Sequence, residues 1–442
     1  MSAPTFAPPC GPVLGWSDHD VIRATGIPYA TSRRFEPPTA TPDWQEPLAA
    51  TSWSPACPQP PTPLLDAVLG NQLGHLPRDE HCQRLSVTLP NDVAPGDSLP
   101  VMVWIHGGSY TSGAGDMPIT DPAALVAEQR VVVVSVTYRL GIFGFLGSGH
   151  DHPANLGLLD QLEALRWVQR NIAAFGGDPR QVTAFGESAG GDAVAHLMAT
   201  TGAAALFSRA IIQSPPLGIA RGRATMTAAM ARAAEHVTAQ LPADEVVALQ
   251  PGVEQASSSF GIIAGMPFGT QYGFDPLPAE EEIDAAWDSV APDIDVLIGY
   301  TAEEAKLFLP RAPTLQRWTR VPVLGTVISG VVIGYVTEAV YARGVRRFAK
   351  RHARAGGRAL LYVVRWSAPG NPFGSAHTID LPLLFGNEEA WQDTALVAGA
   401  TWSEIDGHAR QVRQVWADFA RGELPDRGGV PGVLSYRRVR EA

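Results

Sequence analysis

The chain has 442 residues, 45% apolar and 17% charged, the balance of a folded protein with a large core and not of a disordered one. Its formal net charge of -11 argues against nucleic acid, and against an anionic membrane surface, as partner, since either needs a clustered cationic footprint. Only two lysines occur, Lys306 and Lys350, and neither follows a glycine-rich turn, which excludes a phosphate-gripping P-loop.

The amino-terminal stretch MSAPTFAPPCGPVLGW carries neither a basic region nor an apolar run of the kind a secretory leader has, so the expected location is cytoplasmic. Three cysteines follow, Cys10, Cys57 and Cys82, an odd number that cannot pair completely. A metal site built from His75, His81 and Cys82 lacks any paired ligand spacing, and no metal is expected. Apolar runs read as buried strands come next: PVMVWIH (100–106), VVVVSVTY (131–138) and QVTAFG (181–186). Between the last two, LGLLDQLEALRWVQRNI has apolar residues at helical spacing over 156–172. RAIIQS (209–214), DVLIGY (295–300) and RALLYVVRW (358–366) resume the pattern. Strands rich in β-branched residues alternating with amphipathic helices imply an α/β fold with a large, mostly parallel sheet covered on both faces. Residues 217–293 and 306–357 break the alternation and are expected to be cap insertions in a single catalytic domain spanning 1–442. The uncharged run between Arg320 and Glu338 is too short to span a membrane. It is expected to be covered, or to line a pocket as an acyl-binding wall.

Chemistry concentrates at turns that follow these strands. Gly186-Glu187-Ser188-Ala189-Gly190 sits between a strand and the helical pattern DAVAHLMAT, the setting in which a strained turn exposes a nucleophilic serine. His106-Gly107-Gly108 follows an earlier strand, and the backbone N–H groups of Gly107 and Gly108, with that of Ala189, suit an oxyanion. In a strand-turn-helix hydrolase the order is serine, acid, histidine. His377, in the loop GSAHTIDLP, is the best-placed base, because His196 lies in the helix leaving the elbow and His236 and His352 lie in helical, polar stretches. Glu303 and Glu304 both follow the strand DVLIGY, and spacing alone does not choose between them.

These residues resemble the type-B carboxylesterases and lipases, the family that includes the cholinesterases. The resemblance rests on GIPYA, RRFEPP, ACPQ, HGGSY, YRLGIFGFL, NLGLLDQLEALRWVQRNIAAFGGDP, VTAFGESAGG, LFSRAIIQS, the HxxDLPxxFG segment over 377–386 and VWADFARGELP. It implies an α/β-hydrolase fold, no cofactor, and a small-molecule ester as substrate. The family pattern G-x-x-x-[DE]-E-G-x-x-F implies that Glu304 is the acid, with Ala305 standing where a glycine is usual. The resemblance further implies ion pairs Arg34–Glu80 and Arg139–Asp178, a disulfide between Cys57 and Cys82, and polar groups of Glu187, Ser214 and Asp380 around His377. The chain departs from the family at EHCQRLSV (80–87), at QSPP (213–216) and in a shortened segment between Glu304 and His377. The family also contains adhesion molecules that lack the triad, whereas all three positions are filled here. Amide, carbamate or lactone hydrolysis by the same residues stays open, as do acyl length and oligomeric state. Residues 58–81 contain no aromatic side chain, which argues against a quaternary ammonium substrate, whose cation needs a ring face.

Overall fold

The structure is a computed structural model that describes residues 3–71, 73–94, 96–147, 152–311 and 324–440. Its centre is an 11-stranded sheet. In chain order the strands are β1 (Trp16–Asp18), β2 (Val21–Pro28), β3 (Arg84–Pro90), β4 (Leu99–Ile105), β5 (Val132–Thr137), β6 (Gly177–Glu187), β7 (Arg209–Gln213), β8 (Asp295–Thr301), β9 (Ala359–Val364), β10 (Arg427–Val430) and β11 (Leu434–Arg438). Across the sheet they run β10-β11-β9-β8-β7-β6-β4-β5-β3-β2-β1.

The six strands β4 to β9 pair with one another in parallel. Both edges are antiparallel, through β5–β3, β3–β2 and β2–β1 on one side and β9–β11 and β11–β10 on the other. The sheet is therefore mixed, and the expected parallel arrangement holds for its centre. The central strands are buried on both faces, as VVVSVT in β5 shows with all six residues inside. Such strands read as continuous apolar runs, whereas the edge strands are short or half polar and carry a weaker signal.

Helix α1 (Leu156–Asn171) places Leu158, Leu162, Leu165 and Val168 on one buried stripe, the i, i+4, i+7 spacing of a helix packed on a sheet. Helix α2 (Ala189–Leu197) leaves the end of β6 and is wholly buried. Residues 217–293 form α3 (Ala224–Ala233), α4 (Ala243–Gln255) and α5 (Ile283–Val290). The described part of 306–357 comprises the end of a 3-10 helix (Glu304–Arg311), α6 (Leu324–Val336), a π-helical turn (Thr337–Ala342) and α7 (Arg343–Arg354). Among the described residues no helix is long and apolar enough to cross a membrane. Helix α8 (Trp402–Arg421) starts on a capping box in which Thr401 and Glu404 satisfy each other's backbone N–H, and it ends at Gly422 in the left-handed conformation.

Two expected pairings differ. Arg139 binds Asp160 on α1, at 2.7 and 2.8 Å, and not Asp178, which pairs with Arg180 at 3.1 Å. Asp160 wins because it is fully buried beside the guanidinium, and it also accepts the Arg139 backbone N–H. The Arg34–Glu80 pair is present. Cys57 and Cys82 are both buried and adjacent, but they are free thiols and not a disulfide. The Cys57 sulfur instead accepts the Leu140 backbone N–H at 3.3 Å, and burial, followed by the neighbouring Cys57, pushes the Cys82 thiol well above its ordinary range.

Removing one partner of a buried ion pair leaves an uncompensated charge, so Arg139→Ala should lower unfolding stability by about 3–5 kcal/mol in urea titrations. Arg170→Ala, which breaks an exposed pair with Asp43, should leave the urea midpoint unchanged. Ellman titration of unreduced protein should find all 3 cysteines reactive once the chain is denatured, and a count of one would establish the bridge.

Candidate active site

The parallel strands all end at one edge of the sheet, and that edge carries the candidate residues. β6 runs straight into Ser188, whose φ of 57° and ψ of -123° lie outside the regions an ordinary side chain favours. The turn is held by its surroundings: the Ser188 N–H donates to the Gln213 carbonyl at 2.9 Å, and its own carbonyl accepts from Asp192. Close packing dictates the neighbouring glycine, because a Cβ on Gly190 would lie 2.0 Å from the Ile105 carbonyl oxygen.

The loop after β4 folds against this elbow. A Cβ on Gly107 would lie 2.7 Å from the Glu187 carbonyl oxygen and 3.2 Å from the Ser188 Cβ, so only glycine brings that backbone so near the serine. Among the described residues no protein acceptor takes the N–H of Gly107 or Gly108. Ala189, the first residue of α2, has no intrahelical acceptor for its own. The loop is anchored by His106, fully buried, stacked on Tyr138 at 4.3 Å between ring centroids and bonded through Nδ1 to the Gly107 carbonyl at 2.8 Å. Burial pushes the His106 imidazole down to about 4, so it stays neutral.

His377 and Glu304 meet directly, with Nδ1 2.5 Å from Oε2 and both side chains buried. The second oxygen of Glu304 accepts the Thr301 backbone N–H at 2.7 Å, which fixes the carboxylate at the end of β8. Glu303 points the other way: it pairs with Lys306 at 2.7 Å, accepts the Ser375 N–H at 3.0 Å, and is 39% exposed. Of the two glutamates that spacing left open, Glu304 is the one in contact with His377.

Glu187, Ser214 and Asp380 are the three polar groups expected around the imidazole, and all three are buried. Glu187 Oε1 is 3.2 Å from His377 Nε2. Asp380 acts on His377 through its charge and accepts Gln213 Nε2 at 2.7 Å, while Gln213 in turn accepts Trp416 Nε1 at 3.2 Å. Ser214 is fully buried, and its hydroxyl has no hydrogen-bond partner among the described residues. No hydrogen bond joins Ser188 to His377 among the described residues; both line one small cleft of about 50 Å³ with Gly107 and Gly108. His196 and His352 are buried structural groups, the latter bonded to the Ile294 carbonyl at 2.9 Å and so less polar in setting than its sequence suggests. His236 is an exposed turn residue.

Sequence reasoning missed the aromatic neighbours. The Tyr341 and Phe308 rings lie 5.1 and 5.5 Å from that of His377. It also missed the apolar wall of the cleft, made by Leu65, Leu69, Leu307 and Leu381. Burial alone would push the His377 imidazole down, but Glu187, Glu304 and Asp380 outweigh it and raise it well above the ordinary imidazole range. Burial, with the nearby charges of Asp380 and Glu304, raises the Glu187 carboxyl against the opposing pull of His377. Burial likewise raises Asp380 to about 6.

The carboxylesterase family pattern matches residues 3–319. A protein described as "Probable N-octanoylanthranilate hydrolase AqdA2", from Rhodococcus erythropolis, is 36% identical over 432 residues, covering 96% of this chain and 94% of its own. The para-nitrobenzyl esterase of Bacillus subtilis (strain 168) is 32% identical over 473 residues, covering 98% and 92%. Among solved structures, a thermophilic PNB esterase superposes with a TM-score of 0.80 at 29% identity, covering 97% of this chain and 93% of that one. The fold, the elbow at Ser188 and these similarities lead to one statement: the chain belongs to the carboxylesterase family and is a carboxylic ester hydrolase of the α/β-hydrolase fold.

Proposed function

We propose that the protein hydrolyses short to medium acyl esters through Ser188, His377 and Glu304, by way of an acyl-enzyme. Ser188 Oγ attacks the carbonyl carbon while His377 takes its proton. The collapsing tetrahedral intermediate expels the alkoxide, which receives that proton, and water repeats the sequence to release the acid. Glu304 holds the imidazole in one tautomer and stabilises its protonated form. The N–H groups of Gly107, Gly108 and Ala189 receive the developing oxyanion. Residues 217–293 and 306–357 act as the cap over this machinery. The observation that carries the reading is the 2.5 Å contact of His377 with Glu304 in a cleft that Ser188 also lines.

The cleft wall supports this substrate class. Leu65, Leu69, Leu307 and Leu381 offer an apolar surface to an acyl or alcohol chain, and residues 58–81 contribute leucines where a cation would need an aromatic face. The described part of the uncharged run 321–336 contributes no side chain to that wall: Val331 and Tyr335 face solvent, and the side chains of 321–328 lie outside those described. Amide hydrolysis by the same residues is the second reading, and the relative named for N-octanoylanthranilate, an N-acyl compound, favours it.

Ser188→Ala and His377→Ala should each lower kcat by about 10⁴-fold or more, and Glu304→Gln by less, as members of one unit do. Retention of a tenth of wild-type activity in either alanine variant overturns the assignment. A base must be neutral to accept a proton, so kcat/KM should rise with pH along a limb above the ordinary imidazole range. Glu187→Gln removes one of the carboxylates that hold the proton on His377 and should shift that limb to lower pH. Each added acyl methylene buried in the cleft adds about 0.8 kcal/mol, a rise of severalfold in kcat/KM per carbon until the wall is filled. A flat profile from acetyl to palmitoyl esters, or a maximum at palmitoyl, refutes that wall, and an octanoyl anilide cleaved faster than an octanoyl ester favours the amide reading.

A further inference from the structure

We propose that the outward face of α6 and α7 is a docking surface for an anionic phospholipid bilayer. The net charge argues against such a partner, but it averages over the chain, and the cations are not spread evenly. α7, with the sequence RGVRRFAKRHAR, contains six of them and no acid. Its buried side is Val345, Phe348, Ala349, His352 and Ala353; Arg343, Arg347, Lys350 and Arg354 are exposed, while Arg351 packs over the Trp287 ring at 4.7 Å. Arg343, Arg346, Arg347, Lys350, Arg351 and Arg354 alone line a surface groove of about 400 Å³.

Three acids temper this charge. Glu338 lies 3.8 Å from Arg343 and also pairs with Arg346. Asp284 pairs with Arg351 and lies 3.4 Å from Arg347, and Asp288 lies 2.8 Å from Arg351. Lys350 and Arg354 carry no ion pair among the described residues, and both are exposed.

The same helical run supplies the apolar half of the surface. α6 is LGTVISGVVIGYV, without a charge, and Val331 and Tyr335, one turn apart, are each 66% exposed. Among the described residues, the other large exposed apolar side chains, Trp53, Leu64, Ile262 and Phe274, lie far apart in sequence. A strip that presents apolar side chains and then a row of cations fits a bilayer surface: the former enter between head groups and the latter meet lipid phosphates. A nucleic acid or free phosphate would account for the cations and leave Val331 and Tyr335 unexplained. An uncharged apolar partner would do the reverse.

Docking in this way sets the covered face of the run over the site, because Tyr341, between α6 and α7, packs on His377. The docking does not rest on the proposed ester hydrolysis.

The test is co-sedimentation of the full chain with vesicles of phosphatidylcholine alone and of phosphatidylcholine containing about one third phosphatidylglycerol. Partitioning should be about tenfold or more stronger on the anionic vesicles and should weaken as salt rises. Lys350→Glu/Arg354→Glu should lower it about tenfold or more, Lys350→Gln/Arg354→Gln by less, and Val331→Asp/Tyr335→Asp should also lower it. Circular-dichroism melts of these surface variants establish that each is folded. Equal partitioning on both vesicles, absence of partitioning, insensitivity to either pair of substitutions, or binding to inorganic phosphate or duplex DNA that the aspartate pair leaves unchanged would each overturn the proposal. Because the readout is binding, failure here leaves the ester-hydrolysis reading untouched, and an inactive Ser188→Ala variant should still sediment.

Discussion

A single buried imidazole facing Glu304, Glu187 and Asp380 is the constraint around which the rest of the molecule is arranged. Each of these groups would be costly to bury alone, and together they tolerate burial because they share one proton-bearing ring and a set of polar contacts. The requirement is geometric as much as electrostatic. Glu187 ends β6, Gln213 ends β7, Glu304 follows β8, and His377 comes from the loop after β9. Four adjacent parallel strands thus deliver the cluster to one edge of the sheet, which an antiparallel arrangement of the same strands would split between two edges. The chain of contacts from Trp416 on α8 through Gln213 to Asp380 ties the cluster to that helix.

The parts of this arrangement that were legible in the sequence are those where one local rule decides. Buried parallel strands read as apolar runs, and the elbow at Ser188 and the loop at Gly107 and Gly108 are legible because close backbone approach admits only glycine at Gly190 and Gly107. The choice between Glu303 and Glu304 was not legible from spacing, since both follow the same strand. It is made by facing: Thr301 donates its N–H to Glu304, while Lys306 and Ser375 hold Glu303 outside. The resemblance to a known family supplied that register, yet it misplaced the partner of Arg139, because Asp160 and Asp178 are both within reach in sequence and only packing distinguishes them. The edge strands escaped notice because short, half-polar strands have little periodicity to read.

Charge was the least legible property. A net value of -11 conceals a helix that is cationic along its whole outer side, since acids elsewhere cancel it in the sum. Sequence order mattered more than composition here: cations at 343, 346, 347, 350, 351 and 354 are spaced three and four apart, and that spacing gathers them on one side of a helix.

The π-helical turn at Thr337–Ala342 explains how one helical run serves both the buried cluster and the exposed strip. Continued at α-helical spacing, the exposed positions Val331 and Tyr335 would be followed by 338 and 342, and then by 345 and 349. Ala342, Val345 and Ala349 are instead buried, and the exposed positions are 343, 347, 350 and 354, one residue later. A wider turn inserts that one residue. Without it, the register that keeps Val331 outside would turn Val345 and Ala349 toward solvent and press the charged side of α7 against β8 and β9. With it, Val340 and Tyr341 stay inside, Tyr341 packs against His377, and the cations of α7 stay outside. The same irregularity therefore sets the aromatic wall beside the imidazole and the direction in which the charged groove opens.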